Sequence, residues 1–132
     1  MAKVVCGKVN GVAGPVHGLA VEAEYLDVRM GAGKKMAHKT RPAHNVFAFV
    51  HEGEGYFGNE LVREGQVALF GGGDEISAAT KGTPVKFLLV SGKPLREPIA
   101  WGGPIVMNTE KELQLAIEEL QLGTFVKSKK KQ

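Results

Sequence analysis

The sequence predicts an all-β fold of antiparallel strands that ends in a single α-helix. Short apolar or alternating runs recur through most of the chain, and glycine, proline or aspartate separates them. Eighteen glycines in 132 residues, without a three-residue period, indicate many turns. No helical pattern lies between the strands, so we expect hairpin connections and antiparallel pairing rather than crossover helices.

About eight to ten short strands are expected, beginning near the N-terminus. Residues 3–9 form the first, and residues 19–30 form a longer one that alternates polar and apolar side chains. The apolar phase of this longer strand changes where Tyr25 and Leu26 stand side by side, which predicts a β-bulge there. A turn at residues 31–35 ends it.

The middle of the chain continues the strand pattern. Residues 45–52 are almost continuously apolar, as in a strand that is covered on both faces. We expect a tight turn at residues 53–55 (GEG), with the returning strand starting at residues 56–57. Three further short strands are expected at residues 66–70, 75–79 and 85–91.

A helix is expected near the end of the chain, at about residues 109–122. Thr109 and Glu112 form a capping-box pattern, in which each side chain can accept a hydrogen bond from the other residue's backbone N–H. Gly123 suits the position that ends a helix. An apolar stripe at helical spacing follows the cap: Leu113, Ala116, Ile117 and Leu120. We expect this helix to pack on the outside of the β body.

Composition indicates one globular domain over residues 1–126 and a basic flexible tail over residues 127–132. A chain of 132 residues can bury enough surface for one core. There are seventeen basic and fourteen acidic side chains, and four of the lysines lie in the tail: Lys127, Lys129, Lys130 and Lys131. The rest of the chain is therefore nearly neutral, which argues against direct nucleic-acid binding.

Two features bear on the cellular location. No stretch reaches the ~20 apolar residues that a membrane helix needs, and the first residues lack a signal-peptide pattern. The single cysteine, Cys6, cannot form an internal disulfide, and its apolar neighbour indicates a small buried side chain. We therefore expect no membrane association and a cytoplasmic location, with the nucleus as the alternative.

Four segments resemble the pirin family, whose members carry cupin-type barrels. Residues 92–98 (GKPLREP) and 103–109 (GPIVMNT), followed by the capped helix, are similar to the closing signature of pirins. Residues 7–12 (GKVNGV) and 25–30 (YLDVRM) are also similar to segments of that family. The resemblance covers residues 4–126 and implies a single antiparallel cupin-type β-barrel, a jelly roll, like the C-terminal cupin domain of a pirin.

The resemblance also implies that the family's usual metal site is absent from this chain. A typical pirin has two cupin domains in tandem, and three His and one Glu of the N-terminal domain hold the metal. When the first metal motif is aligned to end at Gly53, its Glu position is Val46, and Ile76 stands at the His position of the second motif. The two His positions of the first motif fall on one of two residue pairs, depending on the spacing: Thr40 and Pro42, or Lys39 and Arg41. We therefore predict no metal site and no cofactor.

A divergent metal site built from other residues is the alternative. His44 lies two residues before Val46 and shares its strand face, so its ring can point into the barrel. His38 lies just upstream, and Glu24 or Asp27 could add a carboxylate from a neighbouring strand. The competing interpretation is a hydrogen-bonded His44 at the barrel mouth and a loop position for His38, because two imidazoles without a third ligand at fixed spacing are a weak pattern.

Trp101 is the single tryptophan of the chain and lies in the connection of residues 99–103. We expect its side chain to anchor the approach to the helix against the barrel. A platform for a ligand is the alternative interpretation of this tryptophan.

Three functions are compatible with these observations. We favour a structural or partner-binding cupin module, without catalysis by this chain alone, whose apolar flank self-associates as a homodimer or binds a pirin N-terminal-type cupin domain. The resemblance also implies a metal-dependent enzyme similar to quercetin 2,3-dioxygenase, using a divergent site around His38 and His44. The third function is a protein-binding adaptor of the transcription-cofactor type. The residues assign no catalytic or cofactor-binding side chain, and they leave open whether the chain is a whole protein or half of a two-domain pirin.

Overall fold

The computed structural model describes residues 1–127, and it divides the chain into two compact units. The first unit is Met1–Pro94, and the second begins at Leu95. Twelve strands and one helix are found in the described residues: β1 (Ala2–Cys6), β2 (Lys8–Val9), β3 (Val12–Ala13), β4 (Ala23–Met30), β5 (Lys35–Lys39), β6 (Asn45–Phe57), β7 (Glu60–Arg63), β8 (Val67–Leu69), β9 (Glu75–Ala79), β10 (Val85–Gly92), β11 (Ala100–Gly102), β12 (Ile105–Met107) and α1 (Glu110–Gln121).

The first unit is built on one antiparallel sheet in the order β1-β4-β10-β6-β9-β5. β7 and β8 also pair with β6, and β2 and β3 form a separate hairpin. The sheet curls around its buried face, as expected for a cupin fold. The predicted all-β antiparallel class with one helix is confirmed.

The core of the first unit comes from strand alternation. Inward side chains of the three central strands are almost fully buried: Leu26, Val28, Val46, Ala48, Val50, Val85, Phe87 and Leu89. The rings of Phe57 and Phe87 meet edge to face with centroids 4.9 Å apart. Burial of each large apolar side chain is worth roughly 1.5–3 kcal/mol, so this face stabilises the sheet and fixes its register.

The predicted tight turn at residues 53–55 is wrong, because β6 runs without interruption from Asn45 to Phe57. The pairing of β6 with β10 shifts by one residue between Lys86 and Phe87, which leaves a bulge at His51. Gly53 has φ +77°, and a Cβ at this position would lie 2.1 Å from the Pro84 carbonyl oxygen. The glycines therefore bend the strand instead of ending it.

The prediction that this strand is covered on both faces is also wrong. Val46, Ala48 and Val50 are buried on the inner face, but Phe47 on the opposite face is 36% exposed. An apolar run indicates burial on both faces only where a second layer lies outside the sheet.

The structure corrects the first two predicted strands. Residues 3–9 do not form one strand, because the chain turns at Gly7, which has φ +90°. The predicted bulge near Tyr25 lies on the partner strand instead, where the pairing shifts between Val4 and Cys6. Cys6 is 7% exposed, so its predicted burial is confirmed.

The second unit consists of the hairpin β11–β12 and α1. Thr109 caps the helix: its Oγ1 accepts a hydrogen bond from the Glu112 N–H at 3.2 Å, and its own N–H donates to Glu112 Oε2 at 3.0 Å. Gly123, at φ +70°, follows the helix. The predicted capping box and the helical terminator are therefore confirmed, and the predicted position of the helix outside the barrel stays a prediction.

The apolar stripe of α1 is narrower than predicted. Leu113 and Ala116 are buried in a small cluster with the β11–β12 hairpin, whereas Leu120 is 51% exposed. Trp101 is 75% exposed, and the expectation that it anchors the helix approach against the barrel stays a prediction. Its indole N–H donates to the Gly103 carbonyl oxygen at 2.8 Å, which holds the ring along its own hairpin.

Little of the predicted basic tail falls within the described residues. Lys127 forms an exposed ion pair with Glu119, with Nζ and Oε1 2.5 Å apart. The remainder of the tail, residues 128–132, lies outside the described residues. Within residues 1–127, no helix combines the length and the apolar character needed to cross a membrane.

Candidate functional site

A polar pocket of about 240 Å³ opens at one end of the sheet of the first unit. It forms where β4, β6 and β10 meet: Ser91, near the end of β10, pairs with Glu24 on one side and with Val46 on the other. The turn after β1 and the end of β5 complete the pocket. Its polar and charged lining residues are Lys8, Glu22, Glu24, Lys39, Thr40, Arg41, His44 and Ser91.

A carboxylate–imidazole pair stands beside this pocket. His38 Nε2 and Glu24 Oε1 are 2.5 Å apart, and their side chains are 11% and 20% exposed. His38 belongs to β5 and pairs with Ile76, so the expectation of a loop position for His38 is wrong. Gly7 allows this arrangement, because a Cβ at Gly7 would lie 3.1 Å from Glu24 Cγ.

The structure brings only part of the divergent metal set together. His44 lines the polar pocket, but its ring makes no hydrogen bond within residues 1–127. In the same residues, His44 is not close enough to His38 and Glu24 to form a set of three metal ligands with them. Asp27 lies on the opposite face of β4 from the buried Leu26, and its Oδ1 is buried without a hydrogen-bond partner among the described residues. Asp27 is therefore not a candidate for this pocket.

The residues present do not fit a cupin metal centre. Val46 and Ile76, at the aligned Glu and His positions, are apolar side chains that are each 4% exposed in the core. In the described part of the chain, no three His, Cys, Asp or Glu residues come close enough to hold a metal ion. At the aligned His pair, Lys39, Thr40 and Arg41 line the pocket and supply no imidazole.

Sequence reasoning missed two features of the pocket. Arg41 NH1 and Glu22 Oε2 form an exposed ion pair at the rim. Ser91 is 6% exposed and faces inward, and no hydrogen bond of its hydroxyl is found within residues 1–127. Buried side chains alternate along β10, and Ser91 falls at one of the inward positions. A polar residue at an inward strand position could have identified Ser91 from the sequence as a candidate site residue.

A second candidate surface lies on the other side of the sheet, and we name it the outer apolar face. Its exposed members are Phe47, Val67 and Leu69, which are 36%, 56% and 80% exposed. Phe47 pairs with Leu69 and Phe49 pairs with Val67, so the side chains form two rows across β6 and β8. The rows continue onto β10 through the half-buried Leu88 and Val90. A contiguous apolar surface of this kind is typical of an interaction site.

The fold and this site define a cupin domain in which, among the described residues, Val46 and Ile76 stand at the aligned metal-ligand positions. The family model for the pirin C-terminal cupin domain matches residues 25–126, and the chain belongs to the pirin family. A pirin-like protein of Caulobacter vibrioides is 34% identical over 124 residues, which cover 93% of this chain and 45% of the relative. Pirin-1 of Arabidopsis thaliana is 34% identical over 126 residues, covering 90% of this chain and 43% of the relative.

A solved structure gives the same result. Quercetin 2,3-dioxygenase from Acinetobacter baumannii superposes with a TM-score of 0.84 at 28% identity, covering 94% of this chain and 43% of that one. The chain thus spans less than half the length of these relatives. The predicted membership of the pirin family is confirmed.

Proposed function

We propose that this chain is a partner-binding cupin domain of the pirin family and performs no metal-dependent catalysis of its own. The observation that carries the proposal is the outer apolar face, with Leu69 80% exposed and Val67 56% exposed. Exposed apolar rows of this extent lower the free energy of a complex that covers them. The apolar residues at the aligned ligand positions, Val46 and Ile76, support the non-catalytic part of the proposal.

The occupant of the outer apolar face is a cupin domain of the pirin N-terminal type. The Caulobacter relative and the Acinetobacter structure each match more than nine-tenths of this chain, and more than half of each of them lies outside the match. On this proposal the additional chain of the relatives folds as a second domain that covers the outer apolar face. In its absence, a second copy of this chain covers the face. The proposal includes a cytoplasmic location, with the nucleus as the alternative.

Isothermal titration calorimetry tests the proposal directly. The titrant is the part of the Caulobacter pirin-like protein that this chain does not match, expressed as a separate fragment whose folding is checked by circular dichroism. We expect saturable binding by the native chain and a loss of at least tenfold in affinity for the double variant Val67→Ser, Leu69→Ser. The matched control is Leu115→Ser, which removes an apolar side chain of similar exposure from the helix.

Two results would contradict the proposal. If Leu115→Ser weakens binding as much as the double variant does, binding responds to any loss of exposed apolar surface, and the outer apolar face is not a defined binding site. An absence of heat with a folded fragment, together with a native chain that stays monomeric, would remove the partner-binding function.

A quercetin 2,3-dioxygenase-like activity is the second candidate, and the name of the Acinetobacter structure supports it. On this chain it requires a divergent site, for which the close contact of His38 with Glu24 is the starting point. Metal content by mass spectrometry, after purification without a His tag, decides between the candidates. A stoichiometric transition metal that is lost in both His38→Ala and His44→Ala would favour the enzyme.

A further inference from the structure

We propose that the polar pocket binds a small hydroxylated organic acid, that is, a short carboxylate that also carries hydroxyl groups. The pocket lies on the inward side of the sheet, among residues that the outer apolar face does not use. The proposal therefore goes beyond the partner-binding function and does not depend on it.

The charges at the pocket select an anion. Its two acidic side chains are each engaged: Glu22 pairs with Arg41, and Glu24 pairs with His38. Lys8 and Lys39 have no acidic partner within residues 1–127. With the histidines neutral, the lining carries three cationic side chains (Lys8, Lys39 and Arg41) against two carboxylates. A pocket with such a surplus of one sign of charge concentrates ligands of the opposite sign.

The inner wall of the pocket can form hydrogen bonds with hydroxyl groups or other oxygen atoms of a ligand. Ser91 is 6% exposed and lines the pocket, where its hydroxyl can meet a ligand. His44 also lines the pocket with a ring that makes no hydrogen bond there. A hydroxyl and a neutral imidazole can each donate and accept a hydrogen bond, so a ligand that offers both donors and acceptors fits this wall better than an apolar one.

The size of the pocket restricts the ligand further. Its volume of about 240 Å³ is below the roughly 300–1,000 Å³ that is usual for larger organic ligands. A short-chain hydroxy acid can place its carboxylate near Lys8 and Lys39 while its hydroxyl reaches Ser91. A planar polyphenol, in contrast, offers no charge to the two lysines.

The test is a titration of the full chain with L-malate, at constant ionic strength, followed by calorimetry. Glycerol serves as the neutral polyol and inorganic phosphate as the anion without carbon. We expect saturable one-to-one binding of L-malate, at least tenfold weaker binding of phosphate and no binding of glycerol. The variants Lys8→Gln, Lys39→Gln and Ser91→Ala should each weaken L-malate binding at least fivefold. The matched control, Lys35→Gln, removes a lysine from the same strand as Lys39 but outside the pocket, and should leave the affinity unchanged.

A second measurement keeps the proposal testable if a variant fails to fold. In the native chain, L-malate should shift the ring signals of His44 in a proton–nitrogen NMR spectrum and leave those of His17, outside the pocket, in place. The proposal is overturned by an absence of saturable binding at millimolar L-malate, by phosphate binding as tightly as L-malate, or by an equal effect of Lys35→Gln.

Discussion

At the scale of single residues, strand register rather than sequence distance decides which charges interact. Glu52 on β6 and Lys86 on β10 are directly opposite one another, and Lys86 Nζ donates to Glu52 Oε2 at 2.6 Å. This hydrogen bond is the main reason why the pKa of Glu52 lies below its usual value of 4.5. The pair is solvent-exposed, so its contribution to stability is small.

The variant Lys86→Met should raise the pKa of Glu52 back towards its usual value, because it removes the hydrogen bond and the nearby positive charge. The lowered pKa means that the native state gains stability above pH 4.5 and loses it as the pH falls through the folded-state value. An NMR titration of the Glu52 side-chain carboxyl carbon measures the change. Lys93→Met, distant in register, should leave this titration unaltered, and an unaltered titration in Lys86→Met would contradict the assignment.

At the scale of the elements, the second unit depends on the capping of its helix. Only Leu113 and Ala116 of α1 are buried among the described residues, so packing holds the helix through a narrow strip. The reciprocal hydrogen bonds between Thr109 and Glu112 satisfy backbone N–H groups that the first turn would otherwise leave without partners.

Replacement of Thr109 by Ala should therefore lower the free energy of unfolding of the helical unit by about 0.5–2 kcal/mol. Urea denaturation followed by far-ultraviolet circular dichroism provides the measurement. Thr83→Ala is the control, since Thr83 is an exposed loop residue whose side chain caps no helix. Equal stability of Thr109→Ala and the native chain would show that the cap contributes nothing here.

At the scale of the whole molecule, both units present apolar side chains to solvent. Leu69 is 80% exposed in the first unit, and Ile99 and Trp101 are 77% and 75% exposed in the second. Folded monomers seldom expose neighbouring large apolar groups at several places. The isolated chain is therefore expected to cover these side chains by binding a partner or a second copy of itself.

The isolated chain should self-associate with increasing concentration, most simply as a two-fold dimer. Sedimentation velocity over a range from micromolar to millimolar chain should show the mass rising, with little sensitivity to salt, because apolar burial drives the association. The double variant Val67→Ser, Leu69→Ser should remain monomeric at concentrations where the native chain is dimeric. A native chain that is strictly monomeric throughout this range would refute the prediction.

Local signals account for the elements that were predicted correctly. The strand at residues 75–79 has the predicted bounds, since its limits are set by the neighbouring residues alone. The helix and its cap followed from Thr109, Glu112 and Gly123 for the same reason. The glycines at residues 53–55 misled, because a turn and a bent strand share the same local signal and only pairing with β10 distinguishes them.

The sequence by itself determined the all-β class, the capped helix and the resemblance to pirins, and that resemblance implies that Val46 and Ile76 stand at metal-ligand positions of the family. These conclusions depend on residue identity and short-range spacing, which are fully present in the chain. Only the tertiary structure decided that Glu24 meets His38, that Ser91 faces the polar pocket and that Phe47 joins Leu69 on the outer apolar face. Such contacts depend on the register between strands that are distant in sequence, and that register is set by the packing of the whole core.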